Sequence, residues 1–160
     1  MNIRKALDGD REHVWQIIEA VIAGGDTYVF EPGTPREEML DYWFDPAKRV
    51  YVADDGGKIV GTMWIKANQP GRGSHVANAA YMVSPAAAGK GIGRAMAEHS
   101  LDEARRFGFT AMQFNFVVKS NESAVRLWQK VGFEIIGEIP DAFRHATLGP
   151  INAYIMYRKL

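Results

Sequence analysis

The chain contains no cysteine, which excludes a disulfide framework, a thiol nucleophile and a Cys-ligated metal site. It also suits a reducing cytoplasm, the expected location. Neither sign of charge prevails: 19 Lys and Arg balance 19 Asp and Glu. A broad polyanion-binding face is therefore not expected, and no Lys/Arg cluster is large enough to suggest nucleic acid. No apolar run approaches the ~18 residues of a membrane span. Met1-Asn2-Ile3-Arg4-Lys5 lacks the apolar core of a signal peptide. Repeats, low-complexity tracts and Pro/Gly/Ser linkers are likewise missing. The expectation is one soluble domain over residues 1–160, without nucleic-acid or membrane partners, long enough to bury roughly 70% of its unfolded surface.

What is present reads as a mixed α/β domain. Asn2 to Ala6 suits a first strand, and Asp10 is placed to cap a helix carrying Val14, Trp15, Ile17, Ile18, Val21 and Ile22 at helical spacing. Gly24-Gly25 stops it. Thr34-Pro35-Arg36-Glu37-Glu38 starts a second helix, with Pro in its first turn and acids at its positive end. Arg49 to Asp54 and Lys58 to Ala67 predict two strands joined at Gly56-Gly57, a hairpin signal. After a Gly-rich stretch, strands are expected over about 75–83, 110–118, 133–139 and 151–159, with helices over 91–107 and 121–131. Seven strands and four helices in this order imply a sheet covered by helices rather than a simple doubly wound fold.

The most informative segment is Tyr81-Met82-Val83-Ser84-Pro85, followed by Ala88-Gly89-Lys90-Gly91-Ile92-Gly93-Arg94 and an amphipathic helix. Pro85 ends the strand because it cannot donate to the sheet. The glycines let backbone N–H groups turn toward a ligand, and the helix N-terminus adds its positive end. Together they suit a pyrophosphate. Lys90 and Arg94 add charge. The loop is neither a Walker loop nor a G-x-G-x-x-G dinucleotide loop.

A second motif follows: Asn121-Glu122-Ser123-Ala124-Val125-Arg126-Leu127-Trp128-Gln129-Lys130-Val131-Gly132-Phe133. The pair resembles the two signature motifs of the GNAT superfamily of N-acetyltransferases, Arg/Gln-x-x-Gly-x-Gly/Ala and Asn-x-x-Ala-x-x-Leu/Phe-Tyr-x-x-x-Gly-Phe. The resemblance implies a mixed, mostly antiparallel twisted sheet whose central parallel strands, here 75–83 and 110–118, splay apart. Acetyl-CoA would lie in the gap as cosubstrate, without a metal. Its pyrophosphate would rest on Ala88 to Arg94, and its pantetheine arm would add along the strand through backbone groups of Met82 and Val83. Val83 is the expected catalytic donor, its N–H polarising the thioester carbonyl. Asn121 would touch the pantetheine; an N-cap is its structural alternative.

Two positions depart from the pattern. Ala88 replaces Arg or Gln, which removes one side-chain donor. Trp128 stands where the family often has the Tyr that protonates the departing thiolate, and an indole cannot replace that acid. Trp128 is expected to pack beside the cofactor sulfur, leaving water to protonate a thiol of pKa near ~8.5.

On the acceptor side, a base must take a proton from the amine. Glu31 is the preferred carboxylate, with His75 and His145 as weaker candidates. Asn78 and Asn115 lie inside strands, where Asn is poor, and suggest either a polar pocket or satisfaction of a bulge. Gly73-Ser74-His75-Val76-Ala77-Asn78-Ala79, Gln113-Phe114-Asn115-Phe116-Val117 and Asn121 are similar to the proline-analogue (azetidine-2-carboxylate) N-acetyltransferases. That resemblance implies a small amino or imino acid as acceptor, bound at Asn78 with Asn115 and Asn121 linked to it. Phe30-Glu31 and Phe143-Arg144-His145 would close over it, Arg144 pairing a carboxylate. The competing readings are a noncatalytic acyl-CoA-binding module and an enzyme for polyamine, aminoglycoside or protein N-terminal acceptors. The C-terminal strands offer edges of the kind that pair in homodimers.

Overall fold

The computed structural model describes residues 1–160. Asn2–Lys5 forms β1, and Arg11–Ala23 forms α1, which buries Val14, Ile17, Ile18 and Ile22 on one face. Asp10 does not cap α1 through its side chain. Its carboxylate instead accepts two bonds from the Arg4 guanidinium (2.7 and 3.0 Å) and one from the Leu7 N–H (2.7 Å). The Arg4 fork and the Leu7 N–H between them occupy both carboxylate oxygens. Arg36–Trp43 is α2, led in by Pro35. Arg49–Asp55 (β2) and Lys58–Ala67 (β3) form the expected hairpin. Gly56 and Gly57 both take positive φ (65° and 91°), as a tight two-residue turn demands.

Val76–Val83 is β4 and Ile92–Arg106 is α3. Ala111–Val118 (β5), Glu122–Lys130 (α4), Glu134–His145 (β6) and Gly149–Lys159 (β7) complete the chain. The seven strands make one sheet in the order β1-β2-β3-β4-β5-β7-β6. Every neighbouring pair is antiparallel except β4–β5. β6 runs further than expected. It lies at the sheet margin, so Pro140 forfeits no rung, and an irregularity in its pairing with β7 between Ile139 and Phe143 carries it past Asp141.

Alternation along the strands sorts the core into two layers. Val52, Trp64 and Met82 pack with Val14, Ile18, Met39 and Trp43 beneath α1 and α2. Tyr51, Met63, Ile65, Ala77, Met112 and Met156 pack against Met96 and Leu101 of α3, with Trp128 of α4. Burial of each large apolar side chain contributes about 1.5–3 kcal/mol. The fully buried Trp43 avoids an unpaired donor because its indole N–H donates to Thr62 Oγ1 at 3.0 Å.

The feature that positions the site is the β4–β5 seam. These parallel strands pair only at Val76–Ala111 and Ala77–Met112. Beyond that point β5 carries a bulge: Asn115 and Phe116 are inserted between the Phe114–Met156 and Val117–Tyr154 pairs. An extra residue bends the bulged strand, and β5 turns away from β4. The expected splay is present.

Candidate active site

The splay opens a cleft of about 240 Å³ between β4 and β5. Its walls are mostly apolar and aromatic, with Tyr28, Phe30, Tyr42, Trp64, Phe114 and Trp128 prominent. Asn78, Asn115 and Asn121 all face it, so three of the residues singled out in the sequence do meet. Such a cleft, apolar with a few placed polar groups, has the character of a small-molecule site.

The three asparagines are not linked to one another. Asn78 Oδ1 accepts from the Ala79 N–H at 2.8 Å. Asn115 sits on the β5 bulge, donates to Asn68 Oδ1 (2.7 Å) and accepts from Gln113 Nε2 (3.0 Å). Asn121 caps α4, accepting from Ala124 N–H at 3.4 Å and Ser123 Oγ at 3.2 Å. Asn115 thus satisfies the bulge and Asn121 the helix cap, and both residues still line the cleft.

The edge of β4 has a definite parity. Val76 C=O and Ser84 N–H bond to Asn68 and Val60, flanking the β3–β4 ladder. Antiparallel alternation then turns residues 78, 80 and 82 toward β3 and residues 79, 81 and 83 toward the gap. The expectation for Met82 is corrected: its backbone faces Thr62 on β3, and its side chain is buried under α1. Val83 faces the gap, as expected. Tyr81 faces it too, although nothing in the sequence marks it. Its N–H donates to Tyr28 Oη (3.1 Å), and Tyr28 Oη donates to its C=O (2.7 Å). Parity depends on partner register, which no local pattern announces. Tyr28 had a faint signal in the aromatic density of Tyr28-Val29-Phe30.

The loop after β4 fits a pyrophosphate. Residues 88–91 are exposed, and α3 begins at Gly91, which caps it in the left-handed region (φ 76°) with no side chain on its first N–H groups. The first helical N–H groups lack intrahelical partners and point outward there. Gly89 shares the left-handed turn (φ 78°). A Cβ at either glycine would meet nothing within 4 Å, so the loop surface is open to a ligand. Ile92 is buried and anchors the loop, whereas Lys90 is exposed and free of any ion pair. Arg94 is paired along the helix to Glu98 at 2.8 Å, so its charge is partly spent. Ala88 contributes only backbone, its N–H bonded to Pro85 C=O.

Trp128 is buried in the core and also lines the cleft, 4.9 Å from the Tyr81 ring and 4.8 Å from Phe114. Glu31 does not line the cleft. It lines an adjoining cavity of about 230 Å³ with Phe143 and Arg144. Tyr28, Val29 and Phe30 belong to both walls. Of the two candidate histidines, His75 is exposed and lines neither cavity. His145 Nδ1 accepts from the N–H groups of Thr147 and Leu148, holding the β6–β7 turn. Neither is placed to act as base.

An open helix start of the kind that suits a phosphate, a splayed parallel pair and a cleft between them fit an acyl-CoA transferase architecture. The chain belongs to the acetyltransferase (GNAT) family, whose model matches residues 15–133. It is accordingly an acetyl-CoA-dependent N-acetyltransferase. It is 35% identical over 148 residues to N-acetyltransferase aca1 of Schizosaccharomyces pombe, covering 82% of this chain and 71% of that one. Mycothiol acetyltransferase of Propionibacterium freudenreichii is 33% identical over 104 residues; the match covers 63% of this chain but 32% of that protein. A GCN5-related N-acetyltransferase from Kribbella flavida superposes with a TM-score of 0.95 at 39% identity, covering 99% of this chain and 97% of that one.

Proposed function

We propose that the acceptor is a small amino or imino acid, acetylated by direct attack of its amine on the thioester in a ternary complex. The observation that carries this is the second cavity, where Glu31 and Arg144 stand on the same wall system as Phe30. One carboxylate and one guanidinium lining the same cavity match a zwitterion: Arg144 receives the acceptor carboxylate and Glu31 takes its amine. A polycation would call for several carboxylates, and the main cleft presents none.

In this reading the pyrophosphate rests on the backbone of Gly89 to Arg94, with Lys90 adding charge. The pantetheine arm adds along the gap-facing edge of β4, and the Val83 N–H polarises the carbonyl as it becomes an oxyanion. Asn121 meets the arm, and Asn78 and Asn115 border the acceptor. The amine nitrogen bonds to the carbonyl carbon, the C–S bond breaks, and the amine proton leaves toward Glu31. Trp128 carries no acidic hydroxyl, so the thiolate takes its proton from water. Reducing cytoplasm is the setting this reading assigns.

The test is thiol release from acetyl-CoA with amino acids, imino acids, polyamines and aminoglycosides as acceptors. Release with amino or imino acids supports the proposal. Release with polyamines or aminoglycosides alone overturns the acceptor class, and CoA binding without release on any amine overturns catalysis.

A further inference from the structure

Where β4 leaves β5, three residues turn their backbone toward the gap: Ala79, Tyr81 and Val83. Two of these rungs are closed by side chains. Asn78 Oδ1 accepts the Ala79 N–H, and Tyr28 Oη serves both groups of Tyr81. Closing both needs a group that donates and accepts, and a phenol does so at one atom. Tyr28 is held there by its ring, stacked on Phe30 at 6.4 Å, with Phe30 edge-on to Tyr42 at 4.8 Å. Burial of its hydroxyl pushes its pKa well above the ordinary tyrosine range, so it stays protonated and keeps the donor bond to Tyr81. Val83 is the gap-facing rung nearest the phosphate loop, and neither side chain covers it. Tyr28 also belongs to the walls of both cavities.

We propose that Tyr28 is a positioning residue for acyl transfer: its hydroxyl replaces a strand rung on Tyr81, leaving Val83 as the rung for the donor chain, and its ring sets the boundary with the acceptor cavity. The proposal rests on the acetyltransferase reading. Loss of the hydroxyl frees both groups of Tyr81 to compete with Val83 for the donor chain, so the thioester loses its fixed relation to the acceptor.

Tyr28→Phe keeps the ring and removes the bridge. Three readouts on the full chain decide the matter, with thermal melting to confirm that the variant is folded. Amide hydrogen exchange at Tyr81 is expected to quicken about tenfold or more. The Kd for CoA is expected to stay within about twofold, while kcat falls about tenfold with little change in acceptor KM. Tyr28→Leu, which also removes the ring wall, is expected to raise acceptor KM in addition. Unchanged exchange at Tyr81 would show that the hydroxyl does not hold the rung. Unchanged kcat, or a loss confined to CoA affinity, would overturn the positioning role. Failure of the wild-type protein to acetylate any amine would instead overturn the acetyltransferase reading, while the exchange measurement would still decide the rung.

Discussion

The two glycines that bracket the start of α3 should respond to alanine with opposite signs. Gly91 caps the helix at φ 76°, and no atom lies within 4 Å of an added Cβ. The cost of Gly91→Ala is therefore backbone strain alone, about 1–2 kcal/mol for an L-residue forced left-handed. Gly93 lies inside the helix, and its Cβ would sit 3.4 Å from Leu127 Cδ2, an ordinary contact. Alanine there gains helix propensity, about 0.5–1 kcal/mol so near the terminus. The split of about 2 kcal/mol corresponds to roughly 4–8 °C in melting temperature for a chain of this size. Function should divide the same way. Relaxing Gly91 out of the left-handed region re-aims the first N–H groups of α3, and a loss of about 1.4 kcal/mol is tenfold in CoA affinity. Gly93→Ala leaves those groups where they are and should hold affinity near that of the native chain. The assays are thermal melting and calorimetric titration with CoA. A Gly91→Ala protein that melts at or above the native temperature and binds CoA normally would refute the reasoning.

Three further outcomes are expected. Asn121→Ala removes the α4 cap, and because the bond to Ala124 is long at 3.4 Å the cost should lie near about 0.5–1 kcal/mol; a CoA titration should show weaker binding as well, and unchanged affinity would confine Asn121 to capping. The Arg4 guanidinium holds the Asp10 carboxyl below the usual carboxylate range, so its contribution is complete above about pH 4 and disappears as pH falls through the depressed folded value. Asp10→Asn keeps an acceptor for Leu7 but loses the ion pair. It should cost about 1–2 kcal/mol at pH 7, Arg4 being partly solvated, and progressively less as pH falls below about 4; a melting difference that does not shrink in acid would refute the assignment. Trp128→Tyr restores a hydroxyl where the family often has one, yet kcat at about pH 8.5 should change less than about threefold, because a thiol with pKa near ~8.5 leaves unaided. A tenfold gain would show that proton donation limits turnover.

Much of this architecture can be read locally. Gly56-Gly57 between two β-rich runs leaves one sensible connection, and Ser84-Pro85 before a glycine-rich helix start marks where β4 must stop. The splay itself follows from partners rather than from residues. Nothing in Ala111 to Val118 says that pairing with β4 ends after two rungs, although Asn115 in an apolar strand hints at the bulge that causes it. Pro140 reads as a terminator, yet on a marginal strand its missing N–H is harmless, so β6 continues to His145. Met82 and Val83 look equivalent in sequence; only the register against β3 shows that one peptide is spent and the other turned to the gap. Glu31 and Arg144 are over a hundred residues apart, and their meeting depends on the long β6–β7 hairpin folding back.

The unfinished ladder between β4 and β5 has a consequence for what the molecule attracts. A bare strand edge on the outside of a sheet invites other strands and, through them, aggregation. Here the bare stretch lies in the middle of the sheet, with β5 standing opposite as a wall. A second sheet cannot approach it. A slender, flexible thread bearing amides can slip in and take the rung that Asn78 and Tyr28 leave open. The protein keeps an adhesive surface and admits to it only a guest of that calibre.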